Sequence, residues 1–209
     1  CSSATARGCV VVRRIEVRQP EHGPKGNRGM PTKVLAFAGA SRTGSFNKKL
    51  VRIAASGARA SGAEVTEIDL RDFPMPIYDG DLEAAEGLPA NARTLKGLFL
   101  AHNALLIASP EYNSGLSALL KNTIDWVSRP VPGEPSLAAF SGKTAAIMAA
   151  STGALGGLRG LIQLHAEVGQ MPAHLRPQPR TVRPDAGGEG EGVDAVHDAD
   201  VAADELADV

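Results

Sequence analysis

The sequence lacks several features that would point to particular classes of protein. Only two of its 209 residues are cysteine, and no stretch approaches the ~18 consecutive apolar residues of a membrane-spanning helix. Cys1 and Cys9 are not part of a C-x-x-C pair, and no Cys/His cluster has the spacing of metal ligands. These absences exclude a disulfide framework and give no reason to expect a metal or a membrane. We therefore expect a soluble, cytoplasmic protein.

An excess of positive or negative charge is also lacking, since the formal net charge is −1. The charge therefore gives no argument for nucleic acid as a partner. The balance hides two charged ends. Residues 1–29 are basic, whereas residues 184–209 contain no Lys or Arg and are rich in Asp and Glu. Such ends are typical of solvated, poorly packed segments. We predict a disordered leader over residues 1–29, a folded domain over 30–182 and an acidic tail over 183–209 with a weak helical pattern.

Within the predicted domain, short apolar runs alternate with helical patterns. Strands are predicted over 33–39, 64–70, 104–108, 143–150 and 174–182. Helices are predicted over about 45–60, 89–102, 117–128 and 156–170. This alternation predicts an α/β fold with a parallel sheet and helices on both of its faces. Pro177 and Pro179 restrict the last strand to an edge or an irregular position, because proline cannot donate to a central ladder.

The loop after the first predicted strand is rich in hydroxyl groups. It runs from Gly39 to Asn47, reads GASRTGSFN, and leads directly into a helical pattern. The first N–H groups of a helix lack partners, and the positive end of the helix dipole points toward such a loop. Hydroxyls, an amide and the Arg42 guanidinium suit the oxygens of a phosphate. The loop predicts a phosphate site, although an ordinary helix cap uses the same residue types.

Two further loops, 109–116 and 151–157, follow buried strands and contain glycine, hydroxyl or amide groups. In a doubly wound sheet, ligands bind beyond the carboxyl ends of the strands, where the strand order reverses. The three loops therefore predict one ligand crevice. The sequence lacks the G-x-G-x-x-G fingerprint and a complete P-loop, which argues against a tightly held dinucleotide and against an ATPase.

Taken together, the loops resemble those of a known family. The matching segments are Gly-Ala-Ser-Arg-x-Gly-Ser-x-Asn at 39–47, Pro-Glu-Tyr-Asn at 110–113, Leu-Lys-Asn-Thr-Ile-Asp-Trp at 120–126 and a glycine-rich loop at 153–157. They resemble motifs of the NAD(P)H-dependent FMN reductases. The resemblance implies a flavodoxin-like, doubly wound fold with a five-stranded parallel sheet, FMN as cofactor and NAD(P)H as co-substrate. It also implies a homodimer or homotetramer, and a quinone, azo compound, metal oxyanion or free flavin as electron acceptor.

The resemblance also implies roles for individual residues. The FMN phosphate would be held by Ser41, Arg42, Ser45, Asn47 and the amide of Phe46. The isoalloxazine edge would be lined, largely through backbone groups, by Pro110, Glu111, Tyr112 and Asn113, and the ring or ribityl chain would be bordered by Ser151, Thr152 and Gly153. No catalytic acid, base or nucleophile is assigned, because in such enzymes the flavin itself carries the redox chemistry.

Three alternatives stay open from the sequence. A flavodoxin-type electron carrier would bind FMN without oxidising NAD(P)H, and a defective relative would take up no FMN. Glu111 by itself also fits a solvated loop carboxylate. Four residues of one predicted helix are expected to be structural: Lys121, Asn122, Asp125 and Trp126. The chain departs from the family pattern in the Ser114-Gly115 pair, where glycine followed by serine is expected, and in having no obvious closing helix after the last strand.

Overall fold

The computed structural model describes residues 9–15, 31–169 and 178–182. Its strands are β1 (Cys9–Ile15), β2 (Lys33–Ala38), β3 (Glu64–Asp69), β4 (Ala104–Ala108), β5 (Glu111–Tyr112), β6 (Gly115–Leu116), β7 (Thr144–Ser151) and β8 (Gln178–Val182). Its helices are α1 (Phe46–Ala60), α2 (Gly80–Glu86), α3 (Ala90–Ala101), α4 (Ala118–Val127) and α5 (Leu158–Gly169), with a 3₁₀ turn at Leu70–Asp72.

Within the described residues, six strands form one sheet in the order β3-β2-β4-β7-β1-β8, and β5 and β6 form a separate hairpin. The neighbours β3, β2, β4 and β7 run parallel to one another. The chain adds β3 on one side of β2, then adds β4 and β7 on the other side. The strand order therefore reverses between β2 and β4. This is the flavodoxin-like, doubly wound arrangement, and its crevice lies beyond the carboxyl ends of those two strands.

The structure corrects the prediction of five parallel strands in one sheet. β1, from the segment predicted to be a disordered leader, pairs antiparallel with β7 and places Cys9 opposite Ser151. β8 runs antiparallel along the other edge of β1, so it does not touch β7. The sequence reason is the run Val10-Val11-Val12, because β-branched residues favour strands and the outer edge of β7 offers unpaired backbone groups. β8 contains Pro179 and is outermost, which confirms the predicted edge position.

The other predictions for the chain ends concern residues that the structure does not describe. Residues 1–8, 16–30, 170–177 and 183–209 lie outside the described residues, so the predicted acidic tail lies outside them entirely. The boundaries at residues 30 and 182 stay predictions. Among the described residues, no helix is long and apolar enough to cross a membrane. The described residues also contain no group of three or more His, Cys, Asp or Glu side chains that could hold a metal ion.

Helices cover both faces of the parallel strands, as predicted. One face carries large side chains that pack against α3, α4 and α5, namely Leu35, Phe37, Leu105, Ile107 and Ile147. The other face carries mainly small side chains under α1, namely Ala36, Ala38, Ala108, Met148 and Ala150. Because these side chains are small, α1 lies close to the sheet and buries Leu50, Val51 and Ala55. The N-terminus of α1 is thereby fixed beside the carboxyl ends of the strands.

One helix between β3 and α3 is missing from the sequence prediction. Pro74 and Pro76 indicate an irregular loop as far as Asp81, but α2 already begins at Gly80. The Asp79 carboxylate caps it by accepting from the Asp81 N–H at 2.8 Å, and Gly87 ends it with φ of 72°. The capping signal is present in the sequence, but the neighbouring prolines masked it.

The four α4 residues predicted to be structural have structural contacts. Trp126 is fully buried, and its Nε1–H donates to the Pro76 carbonyl at 2.8 Å. The Asn122 amide donates to the same oxygen at 2.9 Å. Lys121 and Asp125 form an ion pair one helical turn apart. α4 therefore anchors the proline-rich loop that leads to α2.

Candidate functional site

All the site residues predicted from the sequence lie at one edge of the sheet. β2, β4 and β7 are adjacent and parallel, and residues 41–47, 110–113 and 151–153 follow these strands or end them. Backbone hydrogen bonds of 2.8 Å join the strand ends, from Gly39 N–H to the Ala108 carbonyl and from Ser109 N–H to the Met148 carbonyl. The strand order thus brings the three predicted loops together. The roles of the individual residues toward a ligand stay predictions.

The loop before α1 presents donors suited to an anion. Ser45 is the N-cap, and its Oγ accepts from the Asn47 N–H at 3.2 Å. The first turn of α1 contains no acidic residue, so no side chain there competes with a phosphate for the helix N-terminus. Ser41 and Arg42 are exposed to solvent on the open side of the loop. This donor set fits a phosphate group.

Asn47 joins this loop to the end of β7. Its side-chain amide donates to the Ala150 carbonyl and its side-chain oxygen accepts from the Ala150 N–H, both at 3.0 Å. The residue is 3% exposed. Its amide therefore faces the sheet rather than the open side of the loop, and its contribution to a phosphate site is to hold the loop in place.

A charge cluster that the sequence did not reveal supports the outer side of the same loop. The Asp69 carboxylate at the end of β3 accepts from Lys48 Nζ at 2.6 Å and from Arg71 Nη2 at 2.8 Å. Arg71 also donates from Nη1 to Thr43 Oγ1 at 3.2 Å. Burial by itself raises the pKa of Asp69, but the hydrogen bonds from Arg71 and Lys48 outweigh it and hold the pKa well below its usual range. An acid followed by arginine is too common a pattern to have identified the cluster.

The Pro-Glu-Tyr-Asn segment forms the first half of the β5–β6 hairpin. Asn113 and Ser114 make its turn, with φ of 51° and 67°. Two consecutive residues with positive φ give the turn type that suits the twist of a hairpin. Ser114 thus has a backbone conformation that glycine would adopt without strain, whereas Gly115 has no positive φ. The turn leaves Tyr112 54% exposed beside the crevice.

Glu111 is held by α5 and is not a solvated carboxylate. Its Oε2 accepts from the Gly160 N–H at 2.9 Å, and its Oε1 accepts from Arg159 Nε at 3.2 Å. The Glu111 side chain is 11% exposed. The sequence analysis missed Arg159, although one signal was present. A cation in the first turn of a helix is unfavourable toward the helix dipole, so it indicates a carboxylate nearby.

The loop after β7 is shaped by close approach. The Gly153 N–H donates to Ser151 Oγ at 3.1 Å, and Thr152 and Gly153 are exposed. Gly157 has φ of +85°, and a Cβ there would lie 2.7 Å from the Ala149 Cβ. Only glycine fits this position. The loop therefore lies low against the sheet. We call the exposed residues 112–114 of the hairpin and 152–155 of this loop the ledge.

The fold and the site define a class of protein. It is a flavodoxin-like α/β protein in which the N-terminus of α1 fits an anion and lies beside the ledge of the 111–116 hairpin and the 151–157 loop. A flat group linked to a phosphate fits this arrangement, because the three loops lie side by side at the strand ends.

The comparisons with known proteins identify the family. The family model described as NADPH-dependent FMN reductase matches residues 32–183, and the chain belongs to this family. An NAD(P)H-dependent FMN reductase of Pseudomonas aeruginosa is 35% identical over 150 residues, which cover 72% of this chain and 76% of that protein. A quinone reductase of Escherichia coli is 36% identical over 127 residues, which cover 60% of this chain and 63% of that protein.

One solved structure is also similar. The flavoenzyme NAD(P)H:(acceptor) oxidoreductase FerB of Paracoccus denitrificans superposes with a TM-score of 0.55 and 26% sequence identity. The superposition covers 67% of this chain and 72% of that one. The doubly wound fold predicted from the sequence thus agrees with that of a flavoenzyme.

Proposed function

We propose that this chain binds FMN and oxidises NAD(P)H, passing the reducing equivalents to a small-molecule acceptor. The carrying observation is the position of the acid-free N-terminus of α1 directly beside the ledge between the two other loops. FMN contains one phosphate and one flat ring system, and the arrangement offers a place for each. Membership of the NADPH-dependent FMN reductase family and the names of the two relatives support the same activity.

On the phosphate side, the chain binds and neutralises charge. The hydroxyls of Ser41 and Ser45 and the backbone amide of Phe46 would donate to the phosphate oxygens. Arg42 adds positive charge from the exposed side of the loop. The Asn47 side chain would position these donors through its pair with Ala150.

On the ring side, the chain orients the cofactor. Bound FMN would supply the transfer of reducing equivalents between NAD(P)H and the acceptor. The backbone of residues 110–113 would lie along the isoalloxazine edge, and residues 151–153 would border the ring or the ribityl chain. Tyr112 and Thr152 are exposed, so NAD(P)H and the acceptor can reach the ledge from solvent. No side chain of the protein is required to move a proton.

The named relatives favour a quinone as acceptor, since one of them is a quinone reductase. We also propose a homodimer or homotetramer. Ile77 is 86% exposed and Ile162 is 53% exposed, so each leaves a large apolar side chain that a second subunit would cover. We also propose a cytoplasmic location, where reduced nicotinamide is available. Light scattering after gel filtration would measure the oligomeric state.

The absorbance spectrum of the purified protein tests the function. After reconstitution with FMN and removal of free flavin, we expect a flavin absorbance band. Anaerobic NADPH should bleach this band in a stopped-flow instrument much faster than it reduces free FMN. Free FMN mixed with NADPH at the same concentrations is the control for the uncatalysed reaction. A protein that binds FMN but stays yellow would be an electron carrier. A protein that takes up no FMN would be a defective relative.

A further inference from the structure

We infer that Glu111 is a positioning residue that fixes the hairpin 111–116 against α5 and so sets the width of the ledge for the flavin ring. The inference rests on the proposed function, because it assigns the ledge to that ring. In the family resemblance Glu111 belongs to the ring edge itself. Its contacts give it a different task.

The carboxylate of Glu111 caps a helix from outside that helix. Gly160 is the third residue of α5, and its N–H is among those that find no partner within the helix. Gly156 and Gly157 precede α5 and have no side chain that could cap it. Glu111 Oε2 accepts this N–H at 2.9 Å from a strand 49 residues away in the chain. A negative charge at a helix N-terminus is also stabilised by the helix dipole.

The surroundings of the carboxylate are built for close approach. A Cβ at Gly160 would lie 3.4 Å from the Glu111 Cβ and 3.3 Å from the Gly115 carbonyl oxygen. A Cβ at Gly160 would therefore crowd the Gly115 carbonyl oxygen, and one of the two would have to move by a few tenths of an ångström. The absence of a side chain at this position lets the helix amide reach the carboxylate.

A second contact holds the other strand of the hairpin to the same helix. Gln163 lies one turn after Gly160, and its Oε1 accepts from the Leu116 N–H at 3.2 Å. The hairpin is thus attached to α5 through both of its strands, with Glu111 on β5 and Leu116 on β6. Arg159 adds a charge-assisted bond to Glu111 at 3.2 Å. Since α5 continues directly from the 151–157 loop, these contacts link the two sides of the ledge.

Of the contacts between the hairpin and α5, the one made by Glu111 is charged. Replacing the carboxylate by an amide keeps its size but places NH₂ hydrogens against either Arg159 or the Gly160 N–H. β5 would then be held less firmly to α5, although Gln163 still holds β6, and the ledge would match a flavin ring less well. The phosphate loop makes none of these contacts and would keep its structure.

The test compares the dissociation constants of FMN and riboflavin for the wild-type protein and Glu111→Gln, by flavin fluorescence titration of the full chain. Riboflavin carries the ring without the phosphate, so it reports on the ring side alone. We expect both dissociation constants to rise by the same factor, about tenfold, for the loss of one charge-assisted contact. Hydrogen exchange of the Gly160 amide in the protein without flavin should become faster in Glu111→Gln.

Glu67→Gln is the matched control. Glu67 forms an equivalent ion pair, with Arg59 Nη1 at 2.6 Å from Glu67 Oε1, on β3 away from the ledge. Its substitution should leave both dissociation constants and the Gly160 exchange rate at the wild-type values. Arg159→Met removes one of the two partners of Glu111 and should raise both constants by a smaller factor than Glu111→Gln.

Three results would overturn the inference. Unchanged flavin affinities in Glu111→Gln would show that the contact serves folding alone. A loss of FMN affinity with unchanged riboflavin affinity would place the effect on the phosphate loop. A wild-type protein that binds neither flavin would overturn the proposed function and the inference with it, which distinguishes the two failures.

Discussion

The two sides of the candidate site are held in place differently. On the phosphate side, the Ser45 hydroxyl accepts from an N–H two residues later, and the loop folds back on itself through contacts of the same short range. On the ring side, Glu111 and Leu116 are held by residues of α5 that lie 49 and 47 positions further along the chain. One side is shaped by its own segment, and the other by distant contacts.

Because the two sides are held by different contacts, they should respond to different substitutions. A helix cap forms wherever its residues occur in the right order, so the phosphate side has its donors arranged by local structure. The ring side takes its shape only after α5 has packed. Two contacts are exceptions: the Asn47 side chain ties the phosphate loop to Ala150, 103 residues away, and Arg71 donates to Thr43, 28 residues away. The following substitutions test this contrast, beginning with the largest expected effect.

Asn47→Asp should have the largest effect. The variant places a carboxylate against the Ala150 carbonyl, in a position that is 3% exposed, and leaves that carbonyl without its donor. We expect a loss of about 3–5 kcal/mol in the free energy of unfolding, as for an uncompensated buried charge, and FMN binding too weak to measure. Urea denaturation and flavin titration measure the two effects. Asn113→Asp, on the exposed hairpin turn, is the control for the unfolding measurement, and equal losses of stability in the two variants would contradict the role given to Asn47.

Gly157→Ala should have the next largest effect. The new Cβ would lie 2.7 Å from the Ala149 Cβ at a φ of +85°, so the loop must move. Overpacking together with the left-handed backbone should cost about 2–4 kcal/mol in the free energy of unfolding. Gly153→Ala is the control in the same loop, because the nearest side-chain atom there is Ser151 Oγ at 3.5 Å. Thermal unfolding that shifts equally in both variants would argue against close approach at Gly157.

Asp69→Asn should have a moderate effect that depends on pH. The folded protein holds the pKa of Asp69 below its unfolded value of about 3.9, so the charge stabilises the fold above that value, and the benefit is lost as the pH falls further. We expect Asp69→Asn to be about 1–2 kcal/mol less stable at neutral pH, because the hydrogen bonds to Lys48 and Arg71 weaken. The difference should shrink below about pH 4. A difference in the free energy of unfolding between the two proteins that stays constant down to acid pH would contradict this account.

Ser114→Gly should have the smallest effect, and it should be stabilising. Ser114 has φ of 67°, which an L-residue other than glycine adopts at a cost, so glycine should raise the free energy of unfolding by about 0.5–1 kcal/mol. Asn113→Gly is the comparison at φ of 51°, and it should gain less because asparagine tolerates this region. Calorimetry would detect either shift. A larger gain at Asn113 would show that Ser114 is not the main source of strain in the turn.

The sequence by itself determined the elements and their chemistry. The apolar runs predicted β2, β3, β4 and β7 closely, and the loops after three of them contained the residues that the structure gathers at one edge. These predictions succeed because strand and helix patterns depend on neighbours a few residues apart. Once the strands are parallel and adjacent, the meeting of their loops follows without further information.

The contacts between segments that are distant in the chain could be seen only in the tertiary structure. It placed Cys9–Ile15 between β7 and β8, it turned the Asn47 amide toward Ala150, and it set Glu111 at the N-terminus of α5. None of these contacts leaves a periodic signal, because each joins backbone or side-chain groups that lie many residues apart. Their strength comes from burial and from completed hydrogen bonds, and both exist only after the sheet and its helices have packed.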